Sequence, residues 1–300
     1  MSTTELPALL RRAGDRDLVI AIGDGVGAAN MLDDGSTVGE VLSTYAAGGL
    51  GLTLVLGWSP VAPLGITPEA FTRIVTLMPG WGVRTLLPSP VTSAVPTSMA
   101  AIPALLGSHL RPDVLLTRMT RRDGGFQFCT EVSWQQTLVD IGVPVWAVLD
   151  EGAPSACAGK PVAPEAVTII GRTGDGPADL PSRPAEAIHE ALADRVLDLI
   201  PEGARLQCGP GQLGTALLQR CTKALAIDTG LLTDAVIDLE RRGLLIGEPG
   251  ATYLFGSAEL YRWAGGRAIL RGIEHSHHVT PLSPGGPCAA GNTPLEHDPV

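Results

Sequence analysis

The segment LQCGPGQLGTALLQRCTKALAID, Leu206 to Asp228, carries the clearest fold signal in this chain. A short apolar run ends in a Gly-x-Gly-x-x-Gly motif at residues 209–214, an amphipathic segment follows, and a second apolar run ends at Asp228. This order predicts a strand, a glycine loop, a helix and a second parallel strand. The same outline is typical of dinucleotide-binding units, so NAD(P) binding through residues 209–214 is one hypothesis. Pro210 weakens it, because proline removes a backbone N–H group from the loop.

Short apolar runs alternate with amphipathic segments along the whole chain, which predicts an α/β fold. A loop-rich stretch after Asp150 separates two such halves, so we predict domains at residues 1–180 and 181–300 with a ligand cleft between them. In the first half the pattern predicts strands at residues 17–22, 52–57, 83–88, 112–119 and 143–149, helices at residues 37–48, 68–78, 131–142 and partly 97–108, and a glycine-containing loop at residues 121–128. In the second half it predicts helices within residues 185–200, 211–221 and 232–243.

Composition excludes several classes of protein. The formal net charge of −10 argues against nucleic acid or an anionic membrane as the main partner. The five cysteines are scattered without a Cys-x-x-Cys pair, which argues against a zinc ribbon or a disulfide framework. The polar N-terminus has no signal-peptide pattern, and the longest apolar run, LTLVLGW, is too short to span a membrane. We therefore expect a cytoplasmic protein.

Three segments, in chain order, share the pattern of one known family: VPTSMAAIPALLGSHLRPDVLLTRMTRRDGGFQFCTEVSWQQTLV (95–139), EGARLQCGPGQLGTALLQRCTKALAIDTGLLTDAVIDLERRGLL (202–245) and ATYLFGSAELYRWA (251–264). They resemble the acetyl-CoA hydrolase/transferase family, the 4-hydroxybutyrate CoA-transferase-like enzymes, over most of the chain. The resemblance implies two CoA-transferase-like α/β domains and coenzyme A or an acyl-CoA as substrate, with no tightly bound cofactor. It also implies a homo-oligomer or a second CoA-transferase-like subunit as partner.

The resemblance breaks at the nucleophile. In the family, a glutamate in the pattern GIHSE attacks the acyl-CoA carbonyl and carries CoA as a covalent thioester. Setting LAIDTGLLTD (225–234) against LGIHSEMISD places Asp228 at the histidine, Thr229 at the serine and Gly230 at the glutamate. Glycine has no side chain to act as a nucleophile, so the family's covalent step is missing here unless the local register slips by two and Asp228 becomes the carboxylate. The family is also roughly a third longer than this chain, which leaves another polypeptide or a rebuilt site as ways to complete it.

Candidate site residues follow from this comparison and from the glycine loop. Backbone N–H groups at Gly209, Gly211 and Gln212 are expected to stabilise an oxyanion, because they precede a helix whose dipole favours negative charge. Glu131 is the first candidate for a replacement general base, with a helix N-terminal acid as the alternative interpretation. Asp228 is the second candidate, with a helix cap as its alternative. By their positions in the resemblance, three further residues are predicted to contact substrate: Gly125, Thr229 and Gly230.

Other features have structural interpretations that we favour. Cys208 lies beside the glycine loop, where a helix N-terminus would lower a thiol pKa, but a buried cysteine is the more common case. Gly23 and Gly25 after the first strand form a simple turn that still lets the backbone approach a ligand. Histidines near the C-terminus (His275, His277, His278 and His297) have no motif spacing, and no metal site is predicted.

The sequence therefore predicts a divergent CoA-transferase-fold enzyme that acts on an acyl thioester. Hydrolysis, or another reaction assisted by a general base, fits better than CoA transfer through glutamyl-CoA. The main alternative is a non-catalytic binding or scaffold subunit of a split complex, and NAD(P) binding is the weaker one.

Overall fold

A computed structural model describes residues 3, 5–14, 16–275 and 288–290 and confirms the α/β fold class, with a mostly parallel central sheet. The chain divides into two compact units. The first comprises Met1–Cys129, Trp134–Ser155 and Lys160–Ala178. The second comprises Thr130–Ser133, Ala156–Gly159 and Asp179–Val300. Two short segments, Thr130–Ser133 and Ala156–Gly159, thus belong to the second unit although residues of the first unit flank them in sequence. Within the described residues, no helix is both long and apolar enough to cross a membrane.

The first unit is built around an eight-stranded sheet. Its strands are β1 (Leu18–Ile22), β2 (Leu52–Leu56), β3 (Arg73–Thr76), β4 (Thr92–Ala94), β5 (Val114–Arg122), β6 (Gly125–Phe128), β7 (Val145–Asp150) and β8 (Val167–Thr173). Its helices are α1 (Leu6–Arg12), α2 (Val38–Ala47), α3 (Ile102–Leu106) and α4 (Gln135–Asp140). The buried strands are rich in Val, Ile and Leu, as expected of parallel strands covered on both faces.

The order of the strands creates a switch point at β1. The sheet runs β4-β3-β2-β1-β5-β7-β8, with all neighbours parallel, and β6 joins β5 as an antiparallel hairpin. The chain therefore moves outward in one direction from β1 to β4 and then returns to the other side of β1 as β5. In open α/β sheets, ligands bind outside the carboxyl ends of the strands at such a reversal.

The second unit has smaller sheets. Strands β9 (Arg205–Cys208), β10 (Ala226–Ile227) and β13 (Cys288–Ala290) form a parallel sheet in the order β10-β9-β13, and β11 (Leu231–Leu232) pairs in parallel with β12 (Tyr253–Leu254). Its helices are α5 (Ala187–Leu197), α6 (Gln212–Arg220), α7 (Ala235–Arg241) and α8 (Ala258–Ala264). The succession β9-α6-β10 is the parallel βαβ unit that the glycine motif predicts.

Two predicted elements of the first unit are wrong. The helix expected at residues 68–78 is a 3-10 turn at Pro68–Ala70 followed by β3, which pairs in parallel with both β2 and β4. The strand expected at residues 83–88 is instead part of a 3-10 helix at Trp81–Leu86. Short apolar runs do not distinguish a buried strand from a helical turn, so pairing with neighbouring strands decided both.

Residues 121–142 also differ from their predicted structure. The expected glycine loop is a tight hairpin between β5 and β6, turning through Asp123 (φ 42°) and Gly124 (φ 82°). Positive φ at both central residues is the requirement of a type I′ turn, for which Asp-Gly is well suited. The helix expected from residue 131 begins at Gln135. Glu131 instead forms an antiparallel bridge with Tyr253, so its interpretation as a helix N-terminal acid is wrong.

Candidate functional site

The glycine loop connects the end of β9 to the first turn of α6. An ideal Cβ added at Gly209 or at Gly211 would meet no atom within 4 Å, so both glycines face open space. At Gly214, in contrast, a Cβ would overlap the carbonyl oxygen of Gly209. This third glycine lets the loop lie directly against the helix. The first N–H groups of α6 have no intrahelical acceptor, and they lie next to the two open glycines. An anion or an oxyanion fits this position.

The side chain of Gln212 has a structural role at this helix start. Its Nε2 donates to the carbonyl oxygen of Pro184 at 2.7 Å and to Oε1 of Glu186 at 3.2 Å. Glu186 is the N-cap of α5, so Gln212 ties the beginnings of two helices together. The group that Gln212 offers to a ligand is its backbone N–H.

Asp228 and Thr229 lie at the same sheet edge as the glycine loop, because β9 and β10 are parallel and end side by side. Thr229 is buried and donates its hydroxyl to the carbonyl oxygen of Cys208 at 2.7 Å. Asp228 is 8% exposed and its carboxylate packs near Gly250, where an added Cβ would lie 3.1 Å from Oδ1 of Asp228 and 3.5 Å from Nη1 of Arg271. The residue Asp228 and the open glycines thus follow the carboxyl ends of neighbouring strands, and the carboxylate itself lies beside Gly250.

Gly230 is buried and held by its backbone. Its carbonyl oxygen accepts hydrogen bonds from the N–H groups of Thr252 at 3.1 Å and Tyr253 at 3.0 Å. The next residue, Leu231, pairs with Tyr253 in the register of β11 and β12. Gly230 therefore lies immediately before β11 and is hydrogen-bonded to the neighbouring chain segment through its carbonyl oxygen. A glycine contributes no carboxylate at this position.

Glu131 is 1% exposed and lies in the interior of the second unit. Its Oε2 accepts a hydrogen bond from the hydroxyl of Thr130 at 2.7 Å. Glu131 and Leu231 are both paired with Tyr253, so the two residues flank the same position of β12.

Burial dominates the acid–base behaviour of two side chains in this unit. Burial raises the pKa of the Cys208 thiol to about 12, so the thiol stays protonated at neutral pH and is a poor nucleophile. Burial also raises the pKa of the Tyr261 hydroxyl, and the negative charge of Glu131 adds to that increase. Cys208 is a buried apolar residue here, as favoured from the sequence.

Gly125 lies in the β5–β6 hairpin of the first unit. An added Cβ would lie 2.6 Å from the carbonyl oxygen of Val162 and 2.9 Å from Cβ of Pro161. The backbone N–H of Phe126 donates to the same oxygen of Val162 at 3.0 Å. Close backbone packing therefore explains the glycine at this position.

A second candidate site lies at the switch point of the first unit, where the sequence did not identify Asp24. A cavity of about 30 Å³ lies at the carboxyl ends of β1 and β2, and Gly23, Asp24, Gly57 and Trp58 line it. Oδ2 of Asp24 accepts a hydrogen bond from Nε1 of Trp134 at 2.9 Å, and both residues are almost fully buried. In the sequence, two signals pointed here: the turn glycines after β1, and Trp58, Trp81 and Trp134, which could line an acyl pocket but for which core or rim packing is the default interpretation.

Groups of three or more His, Cys, Asp or Glu side chains suited to a metal ion do not occur in the part of the chain that the structure describes. His277, His278 and His297 lie outside the described residues.

Comparisons with known proteins support the fold through structure alone. The sequence matches no protein-family model and no curated protein sequence. RipA from Yersinia pestis, a CoA-transferase-fold protein, matches 95% of this chain and 70% of its own with a TM-score of 0.79 and 18% identity. The 4-hydroxybutyrate CoA-transferase from Porphyromonas gingivalis matches 92% of this chain and 68% of its own, with a TM-score of 0.69 and 15% identity.

A third structure is more distant. The alpha subunit of a malonate decarboxylase from Acinetobacter baumannii matches 83% of this chain and 50% of its own, with a TM-score of 0.57 and 12% identity. Together these similarities establish the CoA-transferase fold of this chain.

Proposed function

We propose that this chain, which has the CoA-transferase fold, acts on an acyl-CoA or related acyl thioester by a general-base-assisted reaction such as hydrolysis. The observation that supports the proposal is the parallel pairing of β9 and β10, which leaves both the glycine loop before α6 and Asp228 on the same side of the small sheet, with Gly209 and Gly211 open. Backbone donors at a helix start suit a developing oxyanion, and a neighbouring carboxylate suits activation of water.

In the proposed hydrolysis, Asp228 takes a proton from water as the water oxygen bonds to the thioester carbonyl carbon. The carbonyl oxygen becomes an oxyanion, which the N–H groups of Gly211 and Gln212 stabilise. The carbon–sulfur bond then breaks and the carbonyl re-forms. The leaving CoA thiolate takes the proton that Asp228 received from water, so one water and one thioester give a carboxylic acid and free CoA, and Asp228 is regenerated.

Transfer through a covalent glutamyl-CoA is not part of the proposal. Gly230 offers only backbone groups at the position that the family resemblance assigns to the nucleophile, and its carbonyl oxygen already accepts two hydrogen bonds. Borohydride or hydroxylamine trapping during turnover should therefore yield no glutamyl adduct.

The central test is a thiol-release assay with acetyl-, propionyl- and longer acyl-CoAs, and the informative variant is Gly211→Val. Gly211 has extended backbone angles (φ −80°, ψ 177°), and a side chain there meets no atom within 4 Å, so the variant should fold. Valine would occupy the space in front of the helix start, and we expect at least a tenfold loss of activity. Gly174→Val is the matched control, because a side chain at that site in the first unit also meets no neighbour.

A companion variant, Asp228→Asn, separates chemistry from binding. It should lower turnover strongly while it changes KM little, since the carboxylate acts on water. Thiol release that is unaffected by both Gly211→Val and Asp228→Asn would contradict the proposal.

A binding or scaffold subunit is the second candidate function, and the missing carboxylate at Gly230 favours it. The similarity to a structure named as the alpha subunit of a malonate decarboxylase adds support. Saturable CoA binding without thiol release, weakened by Gly211→Val, would select this function. NAD(P) binding at residues 209–214 is the weaker alternative. NADH in the same binding assay tests it, since NADH should compete only if the loop is a dinucleotide site.

A further inference from the structure

The cavity at the switch point of the first unit has the features of a small-ligand pocket. It lies beyond the carboxyl ends of β1 and β2, next to the strand where the chain reverses direction across the sheet. Ile22, Leu56, Val38 and Val83 contribute apolar walls. Pockets for small molecules combine such walls with a few placed polar groups. Here the polar residues that line the cavity are Asp24, Asn30 and Ser59.

Asp24 is a buried and oriented carboxylate in this pocket. It is 2% exposed, and the indole N–H of Trp134 donates to its Oδ2 at 2.9 Å. A side chain at Gly57 would lie 2.7 Å from that oxygen and 2.7 Å from Nε1 of Trp134, so only glycine leaves room for the pair beside the cavity. The neighbouring Gly23 likewise leaves room for Gln135 and Thr117, which are joined by a 2.5 Å hydrogen bond.

We propose that this cavity binds the hydroxyl end of a small neutral ligand, with the hydroxyl donating a hydrogen bond to the carboxylate of Asp24 and an apolar chain leading outward. A carboxylate has about four lone-pair positions, so Asp24 can accept a ligand hydroxyl in addition to its protein partners, one of which is Trp134. The chemical class of the ligand follows from hydrogen bonding and solvation. An anionic group offers no hydrogen for Asp24 to accept, and pairing an ammonium group with a buried carboxylate does not repay the loss of ammonium hydration in a largely apolar pocket, whereas a hydroxyl loses much less.

The size and rim of the cavity agree with this ligand. Since one water needs roughly 10–15 Å³ of such space, about 30 Å³ accommodates two or three non-hydrogen atoms. Leu64, which lines the cavity, is 47% exposed, and Trp58 packs edge to face against the half-exposed Trp81 at 5.7 Å. The apolar part of the ligand would lie against this rim. The proposal does not depend on the thioester chemistry of the second unit.

Three probes of equal size test the proposal on the full chain: 1-butanol, its isomer 1-methoxypropane, and butylammonium. The alcohol donates a hydrogen bond, the ether only accepts, and the ammonium donates with a positive charge. Indole N–H resonances of ¹⁵N-tryptophan protein report binding at identified positions. Trp58 lines the cavity and Trp134 bonds to Asp24, whereas Trp263 in the second unit bonds to Glu240 and serves as the internal reference.

We expect 1-butanol to shift the Trp58 and Trp134 resonances saturably and to leave Trp263 unchanged. Its affinity should exceed that of 1-methoxypropane by about tenfold, the factor that one hydrogen bond to a charged acceptor supplies. In Asp24→Asn the amide oxygen should accept the hydrogen bond from Trp134, which leaves the amide NH2 facing the ligand. The ligand hydroxyl then has a donor in place of an acceptor, so the preference for the alcohol over the ether should disappear. Asp123→Asn, at an exposed left-handed turn position that suits asparagine, is the matched control.

Each other outcome overturns the proposal. Equal binding of alcohol and ether would show an apolar cavity without recognition of a donor. Tighter binding of butylammonium than of butanol would assign the site to cations. No saturable shift of Trp58 and Trp134 with any probe would show that the cavity is not a binding site. The probe series on the unsubstituted protein decides among these outcomes even if Asp24→Asn fails to fold.

Discussion

The buried ion pair of the first unit should be one of its most sensitive points. Nη1 of Arg118 lies 3.0 Å from Oδ2 of Asp150, with side-chain exposures of 9% and 0%. The same guanidinium donates to the carbonyl oxygen of Gly176 at 2.5 Å and to that of Ala28 at 3.5 Å. Ala28 lines the switch-point cavity, so Arg118 also helps to hold one wall of that cavity. We predict that removing either charge strongly destabilises the unit.

The size of the expected destabilisation follows from the burial of both charges. Asp150→Asn leaves the Arg118 charge buried without its counterion, which costs about 3–5 kcal/mol of unfolding free energy. For a unit of this size, 1 kcal/mol lowers Tm by about 2–4 °C, so the expected decrease is roughly 6–20 °C. Arg118→Met should cost a similar amount. The double variant carries no unpaired charge, so its cost should fall below the sum of the two single costs by about 2–3 kcal/mol.

The assay must separate the two units, because a chain with two units need not unfold in one step. Urea denaturation followed by tryptophan fluorescence in a Trp263→Phe background meets this need, since every remaining tryptophan belongs to the first unit. The exposed pair of Arg172 and Glu151, 3.8 Å apart, is the control. Glu151→Gln should change stability by less than about 1 kcal/mol. A cost below about 1 kcal/mol for Asp150→Asn, or strict additivity in the double variant, would refute the reasoning.

Four further outcomes are expected. Gly214→Ala should destabilise the second unit in urea despite the better helix propensity of alanine, because its Cβ overlaps a loop carbonyl oxygen; a gain in stability would contradict the geometry. Thr229→Val should cost about 1–3 kcal/mol by leaving a buried carbonyl oxygen unpaired, and an unchanged urea midpoint would argue against that bond. Cys208 should resist iodoacetamide at pH 7.5 in the folded protein and react after unfolding, since its folded pKa is about 12; rapid alkylation of folded protein would exclude that burial. The hydrogen bond from Arg267 lowers the pKa of Glu240 in the folded protein. The stability that this bond adds is therefore present above the unfolded-state pKa of Glu240 and is lost as pH falls through its lower folded-state pKa. Glu240→Gln should flatten the acid limb of a pH–stability curve, and an unaltered limb would count against this pair.

The glycine loop was predictable from the sequence because its chemistry is local. Two open glycines, a third glycine packed against the loop, and the helix that follows all lie within residues 209–220, where motif spacing alone specifies them. The amphipathic segment at residues 185–200 is likewise helical in α5. Its apolar residues Ile188 and Leu192 are nevertheless 69% and 48% exposed, because periodicity predicts a face and not what covers it.

The strand β3 and the position of Glu131 were not predictable in the same way. Residues 73–76 form a strand because β2 and β4 pair with them on both sides, and these partners are distant in sequence. Glu131 departs from the helix expected there because Tyr253, far along the chain, pairs with it. Burial and long-range hydrogen bonding outweighed local propensity at both places.

By itself, the sequence determined the α/β class, the βαβ unit around residues 209–228 and the absence of a carboxylate at Gly230, because each depends on residue types at short spacing. Only the tertiary structure decided the order of the strands and therefore the switch point at β1. The tertiary structure also brought Asp24 within hydrogen-bond distance of Trp134, which is 110 residues away in sequence. It placed Gly57 beside this pair, where a larger side chain would not fit. The physical reason is that strand pairing and burial depend on contacts between segments distant in sequence, whereas propensity, turns and motifs depend on a few neighbouring residues.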